Sequence, residues 1–353
     1  MPSSSVQSDF IVPAALFAPV AIPPTSPDLD NAIKAAMANT PKWQEIGISK
    51  YREMWENGEF PVQPVRLNCA SNISIPACEP PRDIACRLLK PQNGAPAKGL
   101  FMHIHGGGWS MGGPGDQDSW LQGIADTAGL VIVSVGYRLA PEHPSPAGGE
   151  DCFDAAEWLI LNARQRFGAE LTFIGGESAG GHLTLLTALH LLSHEKPKFR
   201  DFKLTGGLIL LFGAYDLGYT PSQIHHRQAL KKAGDDDAVK EQQLVKLYQP
   251  NVVGDAWKNP KISPLYANLE EYRNPDGISS RLPPALFIVG TKDFLVDDTI
   301  FMSAKWQMAG AQAVVKIFPG PTHGLISFPP DKMPSAKAGM ESLFAFIESR
   351  LAA

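Results

Sequence analysis

The sequence predicts an α/β fold, a mostly parallel central sheet flanked by helices and carrying a helical cap, and three observations carry that expectation. Short continuous apolar runs alternate with helical patterns from about residue 82 to the C-terminus, the rhythm of strands buried on both faces with helices between them. Gly176-Glu177-Ser178-Ala179-Gly180 sits between such a run and a helical segment, where G-x-S-x-G forms a sharp strand-to-helix turn. Two long segments, one before Pro64 and one between Tyr215 and Arg281, break the rhythm and are too long for plain connections.

Residues 1–64 carry helical patterns at 29–38 and 43–56 and no sheet signal, and are read as one cap segment. Strands are expected at 84–89, 100–104, 130–135, 171–174, 207–212, 285–289 and 314–318, with helices fitting between them, among them 151–165, 179–192, 299–308 and 336–350. Residues 215–281 are rich in polar helix formers over 228–247 and then in Pro and Asn, and form the second cap segment. The main domain is therefore expected over 65–214 and 282–353. The cap segments should meet over the strands' C-terminal edge, where α/β sheets hold their ligands.

A chain of 353 residues is long enough for one large domain with an insertion. Thirty-one basic residues against 36 acidic give a net charge of -5 without long charge blocks, which argues against nucleic acid or an anionic membrane as a partner. Cys69, Cys78, Cys86 and Cys152 contain no C-x-x-C pair and no nearby His at zinc-like spacing, so no metal is expected and reduced, mostly buried thiols in a cytoplasmic protein are preferred. The apolar stretch 10–22 has no basic residues before it and is broken by Pro13 and Pro19, with Pro23 directly after it, a poor signal peptide. No run approaches the length of a membrane span.

A serine hydroxyl needs a base, and nine histidines are available. His323 is preferred because Phe318-Pro-Gly-Pro-Thr-His323-Gly places it on a Gly/Pro-rich loop after the last expected strand. The base needs an acid partner, and Asp293 ends a run that places it after the penultimate strand; Asp297 and Asp298 compete, but read better as acceptors in the first turn of the next helix. His105-Gly106-Gly107-Gly108 follows another strand-like run. Its glycines let amides face a substrate, so Gly107, Gly108 and Ala179 are expected to form an oxyanion hole, with His105 orienting the loop. Neither G-x-x-x-x-G-K-[ST] nor G-x-G-x-x-G is present, which argues against a nucleotide.

His225-His226 lacks a ligand-spaced partner and reads as surface; His182, His190 and His194 recur along the helix after the serine and read as helix-face packing. Trp109 and Phe294 adjoin the oxyanion loop and the acid, so each shapes a substrate pocket or packs in the core. Glu177 and Tyr215 are further pocket candidates.

Taken together, HGGGW at 105–109, YRLAPEHPSPAGGED at 137–151, GESAGG at 176–181, D-x-L-x-D at 293–297 and HG at 323–324 resemble the hormone-sensitive lipase family of α/β-hydrolases. The resemblance covers the chain from about residue 82 onward. It implies an α/β-hydrolase fold, a Ser178, Asp293, His323 triad, an oxyanion hole from Gly107, Gly108 and Ala179, and a cap built from the two irregular segments. Gly106, Tyr137 and Asp297 take structural roles in this reading, the 137–151 segment bracing the oxyanion loop. Glu177 stands where the family often has Asp, Phe294 where Pro is frequent, and Gly148-Gly149 where bulkier residues are common. The implied activity is hydrolysis of a small-molecule carboxylic ester through an acyl-enzyme, without cofactor, by a chain whose relatives are commonly homodimers. An amidase, formamidase or lactone hydrolase would use the same groups. A ligand receptor on this fold would lack the histidine that His323 supplies.

Overall fold

Eight strands form where the chain is apolar: β1 (Ser71–Ala77), β2 (Arg82–Leu89), β3 (Gly99–Ile104), β4 (Leu130–Gly136), β5 (Leu171–Glu177), β6 (Gly207–Leu211), β7 (Ala285–Gly290) and β8 (Ala313–Phe318). They are seen in a computed structural model that describes residues 11–23, 25–37, 39–77, 81–234 and 237–353. The sheet order is β1-β2-β4-β3-β5-β6-β7-β8. The two pairings that involve β2 are antiparallel and all others parallel.

Helices α1 (Thr25–Met37), α2 (Trp43–Ile46) and α3 (Ile48–Glu56) precede the sheet. Helix α4 (Asp118–Ala128) enters β4, α5 (Ala147–Phe167) enters β5, and α6 (Ala179–Leu192) with the short α7 (Pro197–Arg200) leads to β6. Helices α8 (Pro221–Ala233) and α9 (Asp237–Tyr248) lie in the insertion, and α10 (Val296–Met308) and α11 (Pro334–Leu351) complete the fold.

Both faces of the sheet are covered, which is why its strands read as unbroken apolar runs. Strand β4 alternates: Val131, Val133 and Val135 pack with Leu159 of α5 and Leu183 of α6, while Leu130 and Ile132 pack with Ile124 of α4 and Leu343 of α11. Each such side chain, fully buried, contributes roughly 1.5–3 kcal/mol before chain entropy is counted. All seven expected strands are present. Strand β1 is the eighth, and it was missed because Ser-Asn-Ile-Ser-Ile-Pro-Ala is an edge strand whose apolar residues alternate with exposed polar ones. Continuous runs were the signal used, and an edge strand does not make one.

The helix expected over 43–56 is divided at Gly47, whose φ of 83° ends α2 and starts α3. The helical pattern of 228–247 is divided at Gly234, with φ 70°. The apolar stretch from residue 11 forms two 3-10 turns, Ala14–Phe17 and Pro19–Ala21; residues 10, 38 and Cys78 lie outside the described residues. Of the other cysteines, Cys86 and Cys152 are buried and Cys69 is exposed. Burial pushes the Cys86 thiol up to about 12. Among the described residues no helix is long and apolar enough to cross a membrane.

Buried carboxylates tie connecting segments of the main domain to strand β2. Asp118, fully buried at the start of α4, accepts from Arg87 Nη2 at 2.7 Å and from the Leu67 amide at 2.9 Å. Asp151 likewise accepts from Arg82 Nε at 2.7 Å and the Arg138 amide at 2.8 Å, fixing the segment expected to brace the oxyanion loop. Removing one partner of a buried ion pair strands the other. Asp118→Ala is therefore expected to lower unfolding free energy by about 3–5 kcal/mol, read from urea denaturation. A loss under 1 kcal/mol would show that Arg87 finds other solvation.

Candidate active site

Strand β5 ends at Glu177 and α6 begins at Ala179, leaving Ser178 alone on the turn with φ 55° and ψ -117°. A non-glycine residue there is strained. The turn is held because the Ser178 amide donates to Leu211 O of β6 at 2.9 Å. Its two flanking glycines are required sterically: a Cβ on Gly176 would lie 2.2 Å from Ile104 O, and one on Gly180 1.9 Å from the same atom.

His323 Nε2 lies 2.8 Å from Ser178 Oγ, and its Nδ1 lies 3.0 Å from both oxygens of Asp293. Asp293 is buried and also accepts the Leu295 amide at 2.8 Å. A carboxylate on Nδ1 fixes the proton there and leaves Nε2 free to accept the serine proton. Phe212 meets the imidazole edge-on at 5.2 Å and Phe294 lies 4.7 Å away. His226 stacks on Phe294 at 5.2 Å, so of the two histidines read as surface only His225 is exposed.

The loop after β3 brings the glycines beside the serine. Tyr137 stacks on His105 at 4.3 Å and donates its hydroxyl to His105 O at 3.1 Å. His105 Nδ1 faces Gly106 O at 2.8 Å, and burial holds this imidazole below its ordinary range, so it stays neutral. Gly107 and Gly108 have φ of 106° and 58°; a Cβ on the first would lie 2.1 Å from Met111 O. Among the described hydrogen bonds none uses the amide of Gly107 or Gly108, and Ala179 opens α6, where helical amides have no internal acceptor. The amides of Gly107 and Gly108 are thus uncommitted among the described hydrogen bonds, and that of Ala179 lies in the first turn of α6.

Glu177 borders the cavity at this site, but its carboxylate is spoken for. Oε1 accepts the Gly106 amide at 2.8 Å, and Oε2 meets His103 Nε2 at 2.8 Å, while His103 Nδ1 meets Ser134 Oγ at 2.8 Å. His103 was not anticipated; it lies two residues before His105 on β3 and is fully buried. Trp109 borders the cavity and is also buried, stacked on Tyr248 of α9 at 4.7 Å with Nε1 donating to His182 Nδ1 at 3.2 Å. It thus borders the cavity and packs in the core at once.

Tyr215 was expected on the pocket wall and is not there. Asp298 accepts its amide at 2.6 Å and turns the ring into the core beside Phe287. The same carboxylate accepts the Asp216 amide, Thr220 Oγ1 and Gln223 Nε2, and burial pushes it up to about 7. Asp297 accepts the Ser222 amide at 2.7 Å in the first turn of α8 rather than serving its own helix alone. The insertion is thus pinned to α10 by two adjacent aspartates.

A cavity of about 1220 Å³ opens over Ser178, His323, Gly107 and Gly108, and both irregular segments line it: Leu29, Tyr51 and Trp55 from the first, Leu217, Leu244 and Val245 from the second. Elsewhere, Glu157 of α5 sits against His190 Nε2 at 2.8 Å and His194 Nε2 at 3.2 Å, a trio of metal-ligand type. His194 Nδ1 accepts the Lys196 amide at 2.9 Å. That puts its proton on Nε2, facing Glu157, so the trio is satisfied by hydrogen bonds.

A family profile described as an alpha/beta hydrolase fold matches residues 101–327. An esterase of Acinetobacter venetianus is 28% identical over 277 residues, 73% of this chain and 82% of that protein. The ethyl acetate hydrolase of Pseudomonas putida is 25% identical over 260 residues, 72% of this chain and 75% of that protein. Among solved structures, a hyperthermophilic esterase from the archaeon Pyrobaculum calidifontis superposes with a TM-score of 0.69 at 26% identity, covering 87% of this chain and 94% of that one.

His182 joins the glycine loop after β3 to the insertion, since its Nε2 also donates to Ile262 O at 2.8 Å. Burial lowers it from 6.5 to about 4. The unfolded chain therefore binds a proton that the folded one refuses between these values, and stability falls as pH drops from 6.5 toward 4. This group accounts for up to roughly 3 kcal/mol of that loss. His182→Gln should flatten the stability–pH slope in this window by about one proton, measured by chemical denaturation at stepped pH; an unchanged slope would locate the acid sensitivity elsewhere.

Proposed function

The chain belongs to the α/β-hydrolase fold family, and from that premise we propose that it is a serine carboxylesterase of the hormone-sensitive-lipase-like branch acting on small-molecule esters. The observation that carries the proposal is the hydrogen-bonded line from Ser178 Oγ through His323 to Asp293. The activities for which two relatives are named, esterase and ethyl acetate hydrolase, support it.

In this reading His323 Nε2 takes the Ser178 proton as Oγ attacks the ester carbonyl. The tetrahedral oxyanion is taken by the Gly107, Gly108 and Ala179 amides, a role supported by the positive φ of the two glycines and by the place of Ala179 at the start of α6. His323 then protonates the leaving alcohol. Water, deprotonated by the same nitrogen, attacks the acyl-enzyme and releases the acid. Asp293 holds the imidazole tautomer and stabilises its cation. All these steps run on side chains and backbone of this chain. The segments 1–64 and 215–281 act as a cap, supported by their shared lining of the cavity.

Ser178→Ala is expected to reduce kcat on p-nitrophenyl butyrate by about 10⁶-fold, and Asp293→Asn by about 10⁴-fold. A fluorophosphonate should label Ser178 stoichiometrically. Near-normal turnover by Ser178→Ala, or labelling of another residue, would overturn the mechanism. A matched ester and anilide pair separates the esterase reading from an amidase.

A further inference from the structure

The cavity straddles the sheet edge. On one side of Ser178 its wall comes from the layer that holds Trp109, Leu217, Val245 and Leu295; on the other it comes from the layer of α4 and α11, through Trp120, Ile326, Phe328 and Met340, closed by Leu29 of α1. The second arm contains Gly123, which lies in the interior of α4 three residues after Trp120 and borders the cavity. Residues three apart share a helix face.

Glycine is among the poorest helix formers, and the fold does not require one here. Gly123 carries no positive φ, and a Cβ built on it meets nothing within 4 Å. This sets it apart from Gly176 and Gly180, where backbone atoms forbid a side chain. What the missing side chain leaves open is the cavity itself. Charge in the wall is also neutralised: Arg52 pairs with Glu142 at 2.5 Å, Asp116 accepts from Trp55 Nε1 at 3.1 Å and Arg66 Nη2 at 3.0 Å, and Glu177 is held by Gly106 and His103. Lys332 borders the cavity but is exposed. The total volume, about 1220 Å³, exceeds that of ordinary small-molecule sites.

We propose that Gly123 is a specificity-determining residue that keeps the α4 arm open for a bulky, neutral, apolar group of the ester. The proposal rests on the carboxylesterase reading. The arm excludes charge because each buried ionic group in its neighbourhood already has its partner, and a second charge there would be desolvated without compensation. It rewards apolar length because every methylene that enters leaves water.

The test uses two ester series on the full chain, p-nitrophenyl alkanoates and alkyl butyrates from two to twelve carbons in the varied group, with a dicarboxylic monoester as a charged probe. In at least one series kcat/KM should climb by roughly fourfold per methylene at first and peak at eight carbons or beyond. Gly123→Leu should lower the long-to-short ratio of that series by about tenfold or more, chiefly through KM of the long ester. Gly123→Ala should raise Tm, by about 2 °C, which a glycine needed by the backbone would not allow. Should Gly123→Leu fold poorly, Gly123→Cys converted to its mixed disulfides with methyl, butyl and octyl methanethiosulfonates, methanesulfinate leaving, fills the arm in steps, wild type carrying Cys69 serving as the reagent control. Peaks at two to four carbons in both series, preference for the charged monoester, or a ratio indifferent to filling would each overturn the proposal. Absence of turnover on every ester, short ones included, would instead count against the carboxylesterase reading.

Discussion

The carbonyl of Ile104 at the end of β3 is the tightest constraint in the molecule. It lies where a side chain on either Gly176 or Gly180 would have to be, so β3, the end of β5 and the start of α6 are in backbone contact. That contact brings the loop that begins at His105 against the turn that carries Ser178. The glycine loop and the serine turn are positioned relative to each other by packed backbone, which is stiffer than any side-chain arrangement. The hydrogen bond from the Gly106 amide to Glu177 Oε1 then fixes the rotation of the loop, and His103 with Ser134 fixes the carboxylate.

Around this rigid centre the variable parts are attached by charge. Asp116 holds the Trp55 indole and the Arg66 guanidinium from the segment before the sheet. Asp297 and Asp298 hold the first residues of the insertion. A buried carboxylate is costly to desolvate unless its oxygens are saturated with donors, so these attachments are specific in direction as well as strong. The same rule explains why little free charge reaches the cavity wall.

The grouping of the centre was legible in the sequence because the chemistry proposed for it demands particular residue types in chain order. Ser178, Asp293 and His323 are far apart in sequence and in contact in space, and glycines at 176, 180, 107 and 108 mark backbone approaches that no other residue allows. The buried strands were legible because both faces are apolar. Features set by tertiary contact alone were not. Strand β1 shows half its residues to solvent, His226 became half-buried only because α8 folds over Phe294, and Tyr215 turned inward because Asp298 captured its amide. Gly123 gives no sequence signal that separates it from any helical glycine. Its meaning comes from the empty space beside it.

Backbone strain follows the same division. Among the described residues, the non-glycine residues with positive φ are Trp109, Ser178, Phe212 and Tyr219, and all four border the cavity. Each such conformation costs about 1–3 kcal/mol and persists only where its surroundings over-determine it. The restraints are visible: Ser178 N donates to Leu211 O, Phe212 N to Ile288 O at 2.7 Å, Trp109 O accepts the Ala140 amide at 2.9 Å, and the Arg227 guanidinium lies 4.2 Å from the Tyr219 ring. The first three are anchored in the sheet or in the segment that Tyr137 begins. The fourth contact lies within the insertion. Strain at Ser178, Phe212 and Trp109 is therefore supported by the core, and the wall beside Tyr219 keeps its shape because Asp297 and Asp298 of α10 hold Ser222, Thr220 and Gln223 at the start of α8.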